Sequence, residues 1–304
     1  MPEPIGSRIS VYFRLTLLYA TLGAILVATG FLLGGIGTAF VFLIIAFAFN
    51  FLMYFISDRL VIASTGARVV SESEAPRLHA IVSRMATQVG IPKPKVAIVD
   101  SPQPNAFATG RNKENALVAA TTGLLNMMSD DEVVAVMAHE VGHVVHRDML
   151  VSTIAASMAT AVSYLSNIVM FALLFGGAGR GRNDNGGRQA ALLASAIIAP
   201  LAATFVQLAV SRSREYYADE ASARLTGKPQ NLIRALSKIE DFVRRGVPLK
   251  VNPSTASLWI ANPFRGRSLV ELFSTHPTTE KRIRRLERVE EEMGRTVRPI
   301  RDAR

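Results

Sequence analysis

Between Leu15 and Ser57 the chain runs for 43 residues without one charged side chain. A single helix crosses about 30 Å of hydrocarbon with about 20 apolar residues, so this run holds two crossings. Gly34, Gly35, Gly37 and Thr38 interrupt its middle, and such a cluster marks a turn. The run therefore predicts a membrane hairpin with spans near 15–33 and 39–57. Arg8 and Arg14 before an apolar stretch also fit a cleaved signal peptide. A second span follows at once and no A-x-A site is evident, which favours an uncleaved hairpin.

Two further uncharged runs, Met149–Gly179 and Gln189–Ser211, flank a loop from Arg180 to Arg188. The first contains Ser152, Thr153, Ser157, Thr160, Ser163, Ser166 and Asn167, residues common where membrane helices pack on protein. Counting both runs as spans predicts about four transmembrane helices. Arg8, Arg14, Arg59, Arg147, Arg212 and Arg214 would then lie on the cytoplasmic side. The loop, with three Arg and one Asp, would face outward against the positive-inside rule.

Charge is concentrated elsewhere. The net charge is +10, and residues 211–304 hold 20 basic against 12 acidic side chains. Acids interleave with the bases, as in Glu287, Arg288 and Glu290, so a surface facing anionic lipid explains the excess and no nucleic-acid partner is expected. The chain has no cysteine. Disulfides, thiolate metal sites and cysteine nucleophiles are thereby excluded, leaving His, Asp, Glu and Ser for chemistry.

Between the second and third runs the pattern becomes that of an aqueous domain. Leu78, Ile81, Val82 and Met85 give Glu74–Val89 helical spacing, ended by Gly90 and Pro92. Short β-like runs follow at Lys95–Val99, Asn105–Thr109 and Ala116–Ala120. Ser129 and Glu132 form an S-x-x-E capping box that opens a helix reaching His146. The fold class is thus mainly α with a small β-sheet, divided as 1–58 (hairpin), 59–148 (first part of an aqueous domain), 149–211 (second hairpin) and 212–304 (second part).

On that helix stands His139-Glu140-Val141-Gly142-His143. Histidines four apart share a helix face and can bind one ion, while the intervening Glu140 reaches a metal-activated water as general base. A third protein ligand is required. His146 is two turns from His139, but one helix cannot easily aim three successive turns at one ion. Glu215 and Asp219, an E-x-x-x-D pair, are the better candidates: Glu215 as ligand, Asp219 as acceptor from the distal nitrogen of a ligand His. Surface pairing of these acids with Arg212 and Arg214 is the alternative. His143 lies shortly before the third run and Glu215 shortly after the fourth, so a hairpin would return both to one height beside the membrane.

Taken together, Pro104–Gly110, the H-E-x-x-H helix, Arg214–Asp219 and Ser274–Ile283 resemble the HtpX-type membrane zinc metalloproteases, bacterial relatives of the prenyl-protein-processing zinc protease. The resemblance implies one Zn²⁺ held by His139, His143 and Glu215 in a zincin (gluzincin-like) domain at the cytoplasmic face of the inner membrane. It implies His276 as a second oxyanion donor with Arg282 in support, although His276 before Pro277 also suits a helix entry. It further implies quality control of membrane-protein substrates in the lipid bilayer, beside other membrane proteases. Asn105, Ala106 and Phe107 lie in a short extended run that either pairs with substrate backbone or is a plain structural strand. His79 stands far from every motif.

Two rival functions remain at this point. A chaperone with a structural zinc would normally close the ion with four protein ligands, whereas three plus an adjacent Glu leave a position open. A transporter would place ionisable residues inside its spans, and these spans contain none.

Overall fold

The computed structural model describes residues 5–146, 149–160, 212–245, 258, 260 and 277–297. Helical residues run from Ile5 to Thr65 (α1), yet the chain does not run straight. At 1.5 Å per residue Tyr19 and Asn50 would stand about 46 Å apart on one straight helix. Instead Asn50 Nδ2 donates to the Tyr19 carbonyl at 3.3 Å. The reversal falls at Gly35, whose φ of +71° only glycine adopts at no steric cost.

The two arms, Val11–Ala28 and Gly35–Thr65, are each long and apolar enough to cross a membrane. Their outer faces carry Phe13, Phe40, Phe47 and Phe51, each more than 60% exposed. Aromatic surface on that scale belongs against lipid or protein rather than water. Their inner faces pack Leu15, Leu18 and Leu22 against Phe49, Tyr54 and a third apolar helix, α5 (Met149–Thr160). Nearly every residue of α5 is buried, including Thr153, Ser157 and Thr160. The rest of the expected second hairpin, with its loop Arg180–Arg188, lies outside the described residues.

Beyond Gly66 the chain enters a four-stranded mixed sheet of β1 (Ala67–Val69), β2 (Lys95–Val99), β3 (Ala106–Thr109) and β4 (Leu117–Thr121), in the order β1-β2-β4-β3. β2 and β4 are parallel with Val96 opposite Val118, while β1 and β3 flank them antiparallel. β4 is buried throughout, in keeping with its unbroken apolar sequence. Three residues, Ala-Arg-Val, are too few to show an alternating pattern, so the sequence reading missed β1. It also began the strands at Asn105 and Ala116, one residue before each ladder; Asn105 and Ala116 serve as lead-ins.

Helices α2 (Pro76–Val89), α3 (Thr122–Met127) and α4 (Asp130–Val145) follow the chain order around this sheet. α2 starts at Pro76, two residues after the expected Glu74, because Glu74 is spent accepting from the Ser71 N–H at 2.7 Å. α6 (Arg212–Thr226), α7 (Pro229–Arg244) and α8 (Thr279–Val297) complete the described elements. Val133, Val136 and Met137 of α4 join Leu232, Leu236 and Ile239 of α7 and Leu286 and Val289 of α8 in one core. Burying each such side chain contributes about 1.5–3 kcal/mol. α4 is thus a central helix, buried on most of its surface, and what it carries is held rigidly.

Candidate metal centre

The start of α4 is locked by reciprocal bonds. Ser129 Oγ accepts from the Glu132 N–H and the Glu132 carboxylate accepts from the Ser129 N–H at 2.8 Å. Lys238 Nζ adds a bond to Glu132 at 2.7 Å. Burial, the largest influence on Glu132, raises its pKa, but Lys238 and the Ser129 N–H outweigh it and hold the carboxyl below its ordinary value.

Downstream, the Nε2 atoms of His139 and His143 lie 3.2 Å apart. α6 crosses α4 at Gly142, where an added Cβ would stand 3.3 Å from Ala218 Cα and 3.2 Å from Ala221 Cβ. Small residues make that approach possible, and Ser222 Oγ bonds the Ala135 carbonyl across it at 2.6 Å. The close crossing carries Glu215 to the histidines, with Oε2 3.8 Å from His139 Nε2 and Oε1 3.7 Å from His143 Nε2. One ligand atom from each of the three lies within 4.8 Å of the others.

These donors fit a metal ion. Bonds of about 2.0–2.2 Å to a tetrahedral ion place donors about 3.3 Å apart, close to the spacings found here. The donor set, two imidazoles and one carboxylate, leaves a fourth position open, as in a catalytic zinc site.

A second layer supports the first. Asp219 Oδ1 lies 3.0 Å from His139 Nδ1, a contact that turns the Nε2 lone pair toward the centre. Arg282 grips Asp219 with both arms, Nε to Oδ2 at 2.9 Å and Nη2 to Oδ1 at 2.6 Å. Its Nη1 bonds the Ile260 carbonyl and lies 3.5 Å from Glu215 Oε2. Burial alone would raise the Asp219 pKa, but Arg282 and His139 reverse that and hold it low. Burial likewise works against the Arg282 charge, and Asp219 and Glu215 more than restore it.

Glu140 is 3% exposed and lines the same cavity as the three donors. Burial pushes its carboxyl upward, and the neighbouring His139 and His143 pull the other way without cancelling that shift. The cavity is small, about 40 Å³, and is completed by Phe107, Ala108, Met149, Ser152, Leu258 and Ile260. It has room for about three or four waters at about 10–15 Å³ each.

The remaining candidates fall in different places. Ala106 is buried in the sheet's helical side, whereas Phe107 faces the metal cavity from the edge strand β3. Asn105 has another occupation: its Oδ1 accepts from the Ile260 N–H at 3.1 Å. Arg282 is 1% exposed and does not line the cavity: its Nε and Nη2 are committed to Asp219 and its Nη1 to the Ile260 carbonyl. His276 lies outside the described residues. His146 caps α4 with Nδ1 3.2 Å from the Gly142 carbonyl and stacks on Tyr217, apart from the donor cluster. His79 Nε2 meets the Val70 carbonyl at 3.0 Å and belongs neither to the donor cluster nor to the cavity lining.

Gly142 and Ile260 are the structural residues the sequence reading passed over. A glycine inside a helix costs about 1 kcal/mol against alanine, so its presence between two ligands was a legible sign of close packing. Ile260 carries no such sign, since only its backbone is used.

Residues 72–290 match the sequence profile of peptidase family M48. "Protease HtpX homolog" of Pyrococcus furiosus is 50% identical over 94% of this chain and 98% of its own length. "Protease HtpX homolog" of Aquifex aeolicus is 47% identical over 89% of this chain and 90% of its own length. Among solved structures, the crystal structure of S. mikatae Ste24p aligns with 93% of this chain and 67% of its own, at 22% identity and a TM-score of 0.48.

Proposed function

The chain belongs to peptidase family M48 and is a membrane-associated metalloprotease, and from that premise we propose that it is a zinc endopeptidase cleaving membrane-protein substrates at the cytoplasmic face. The observation that carries this reading is the convergence of His139, His143 and Glu215 with Glu140 in one buried cavity.

His139 and His143 through Nε2 and Glu215 through its carboxylate would hold the ion. When bound, zinc acidifies a water toward a pKa of about 7 and polarises the carbonyl to be attacked. Glu140 takes the proton of the attacking water on its carboxylate and returns it to the departing amide nitrogen. Asp219 holds the His139 tautomer, and Arg282 holds Asp219, so Arg282 acts as a positioning residue. His276 remains the proposed second donor to the oxyanion.

β3 is the substrate strand in this reading. It forms one edge of the sheet, and its Asn105 carbonyl accepts from the Thr121 N–H at 2.9 Å. By antiparallel alternation the peptide groups of Ala106 and Ala108 then turn away from β4, toward the side on which an extended peptide can pair. Phe107, alternating between them, meets the substrate near the metal. α5 fixes the end of this strand, since Thr153 Oγ1 bonds Thr109 Oγ1 at 2.9 Å and accepts from the Gly110 N–H at 3.1 Å. The proposed active site is thereby tied to the membrane helices, which suits misfolded or damaged membrane proteins as substrates.

The direct test is Glu140→Gln in the full chain. Zinc content stays at the wild-type level, while cleavage of a casein-like or membrane substrate falls by about 10²–10⁴-fold, the usual contribution of a positioned acid–base group. Cleavage at the wild-type rate would refute Glu140 as the base.

A further inference from the structure

The metal cavity contains a hydroxyl that the mechanism above does not use, and it comes from the apolar helix α5. Val151 and every residue of α5 from Thr153 to Thr160 are buried. Ser152 between them is only half-buried, and it lines the cavity shared by His139, Glu140, His143 and Glu215. The helical period explains its aim. Met149, three residues earlier, lines the same cavity, and Ala156, four residues later, packs with the cavity residues Phe107 and Leu258. Residues three and four apart share a helix face, so Met149, Ser152 and Ala156 form the side of α5 turned to the metal centre.

Two neighbouring hydroxyls are spent on structure. Thr153 Oγ1 is bonded to Thr109 Oγ1 and to the Gly110 N–H. Ser157 Oγ donates to the Ser57 carbonyl at 2.9 Å. Those bonds fix α5 against β3 and against the second arm of the hairpin, and with it the place of Ser152. Ser152 Oγ itself has no such tie among the described residues.

A hydrogen-bond donor is what the rest of the lining lacks. Glu215 is committed to the ion and Glu140 to the water's proton, and an ionised carboxylate only accepts. With Nε2 of His139 and His143 turned to the ion, the second nitrogen of each ring lies on its far side, that of His139 at 3.0 Å from Asp219. The other lining residues, Phe107 and Ile260 among them, bring apolar side chains. Among the described lining side chains, Ser152 is therefore the one that can present a hydrogen to an oxygen held in the cavity. The cavity is only about 40 Å³, so such an oxygen lies close to every wall.

We propose that Ser152 is a catalytic residue whose Oγ–H donates to the oxygen of the scissile carbonyl as that oxygen becomes an oxyanion. The proposal rests on the proteolytic reading and adds to it a donor held by α5, alongside His276. As the water oxygen bonds to the carbonyl carbon, the water's proton passes to Glu140 and the π pair moves onto the carbonyl oxygen. Ser152 meets that charge with its hydrogen bond and keeps its own proton. When the C–N bond breaks, the pair returns to re-form the carbonyl, and the proton on Glu140 goes to the departing nitrogen. A hydrogen bond to a charged acceptor is about twice as strong as one to a neutral acceptor, so the hydroxyl acts mainly on the transition state.

The test is steady-state cleavage of a peptide substrate by the zinc-loaded full chain in micelles. Ser152→Ala lowers kcat by about 10²-fold, the scale of one oxyanion donor, and leaves KM unchanged. A phosphinic peptide, whose tetrahedral phosphorus carries oxygen where the oxyanion forms, binds this variant more weakly by a similar factor in calorimetry. In the zinc-free chain Ser152→Ala melts at or above the wild-type midpoint, because no protein bond is lost. Thr160→Ala removes a buried hydroxyl, unpartnered among the described residues and about two turns further along α5, and keeps the wild-type kcat. Wild-type kcat in Ser152→Ala, a raised KM with kcat unchanged, or an equal loss in Thr160→Ala would overturn the proposal, while a dead Glu140→Gln leaves the proteolytic reading standing. Cleavage at the wild-type rate in Glu140→Gln would overturn both.

Discussion

The α1 hairpin and the junction of α4, α6 and α8 bury side chains by opposite means. In the hairpin the inner face is apolar, and Asn50 donates to the Tyr19 carbonyl across the arms. In the junction His139, Glu140, Glu215, Asp219 and Arg282 are all buried together. Hydrophobic contact tolerates small shifts because it is non-directional. Buried charges do not, since each one stranded without its partner costs several kcal/mol. The hairpin can therefore tilt and adapt to the bilayer, while the junction holds its atoms in one arrangement.

That contrast is tested first where the expected effect is largest. Arg282→Met leaves Asp219 buried without its fork of donors and lowers unfolding stability by about 3–5 kcal/mol. Chemical denaturation of the zinc-free full chain reads this directly. A loss below about 1 kcal/mol, the level of an exposed ion pair, would mean the junction is not tightly coupled.

An acid titration gives the intermediate effect. The native Glu132 carboxyl sits below its ordinary value. Its contribution is therefore complete above the unfolded value of about 4.3 and drains away as pH falls from there through the native pKa. The melting midpoint of the wild type falls more steeply below that point than that of Glu132→Gln. Parallel curves would assign the acid sensitivity to other carboxylates.

Within the hairpin the change is expected to be smallest. Asn50→Leu removes a single interhelical bond, and such bonds in membranes average about 0.6 kcal/mol. Unfolding in mixed micelles should shift by less than about 1 kcal/mol, and a larger loss would show that the hairpin too depends on directional contacts.

The same contrast explains what could be read in advance. The hairpin announced itself through hydropathy and Gly35, and the two histidines through the helical period, because each signal is local in sequence. The serine cap at Ser129 was equally local. Glu215 could be picked out because Asp219 follows one turn later, although the meeting with His143 depends on α6 crossing at Gly142. Arg282 was expected in support of His276 at an oxyanion, whereas its guanidinium grips Asp219. Nothing near it in sequence tells that α8 brings its guanidinium beneath His139, 143 positions away. Asn105 was placed in a short extended run that either meets substrate or is a plain structural strand, and its side chain is engaged by Ile260, 155 residues later. Local patterns find elements and ligand types; the partners of buried charges come only from the packing.

The central claim is that His139, His143 and Glu215 hold one catalytic zinc. Its most direct measurement is the zinc content of the purified full chain and four single variants by plasma mass spectrometry. One zinc per chain is expected for the wild type and His146→Ala, with loss in His139→Ala, His143→Ala and Glu215→Ala. Full zinc retention in Glu215→Ala, or loss in His146→Ala, would contradict the account.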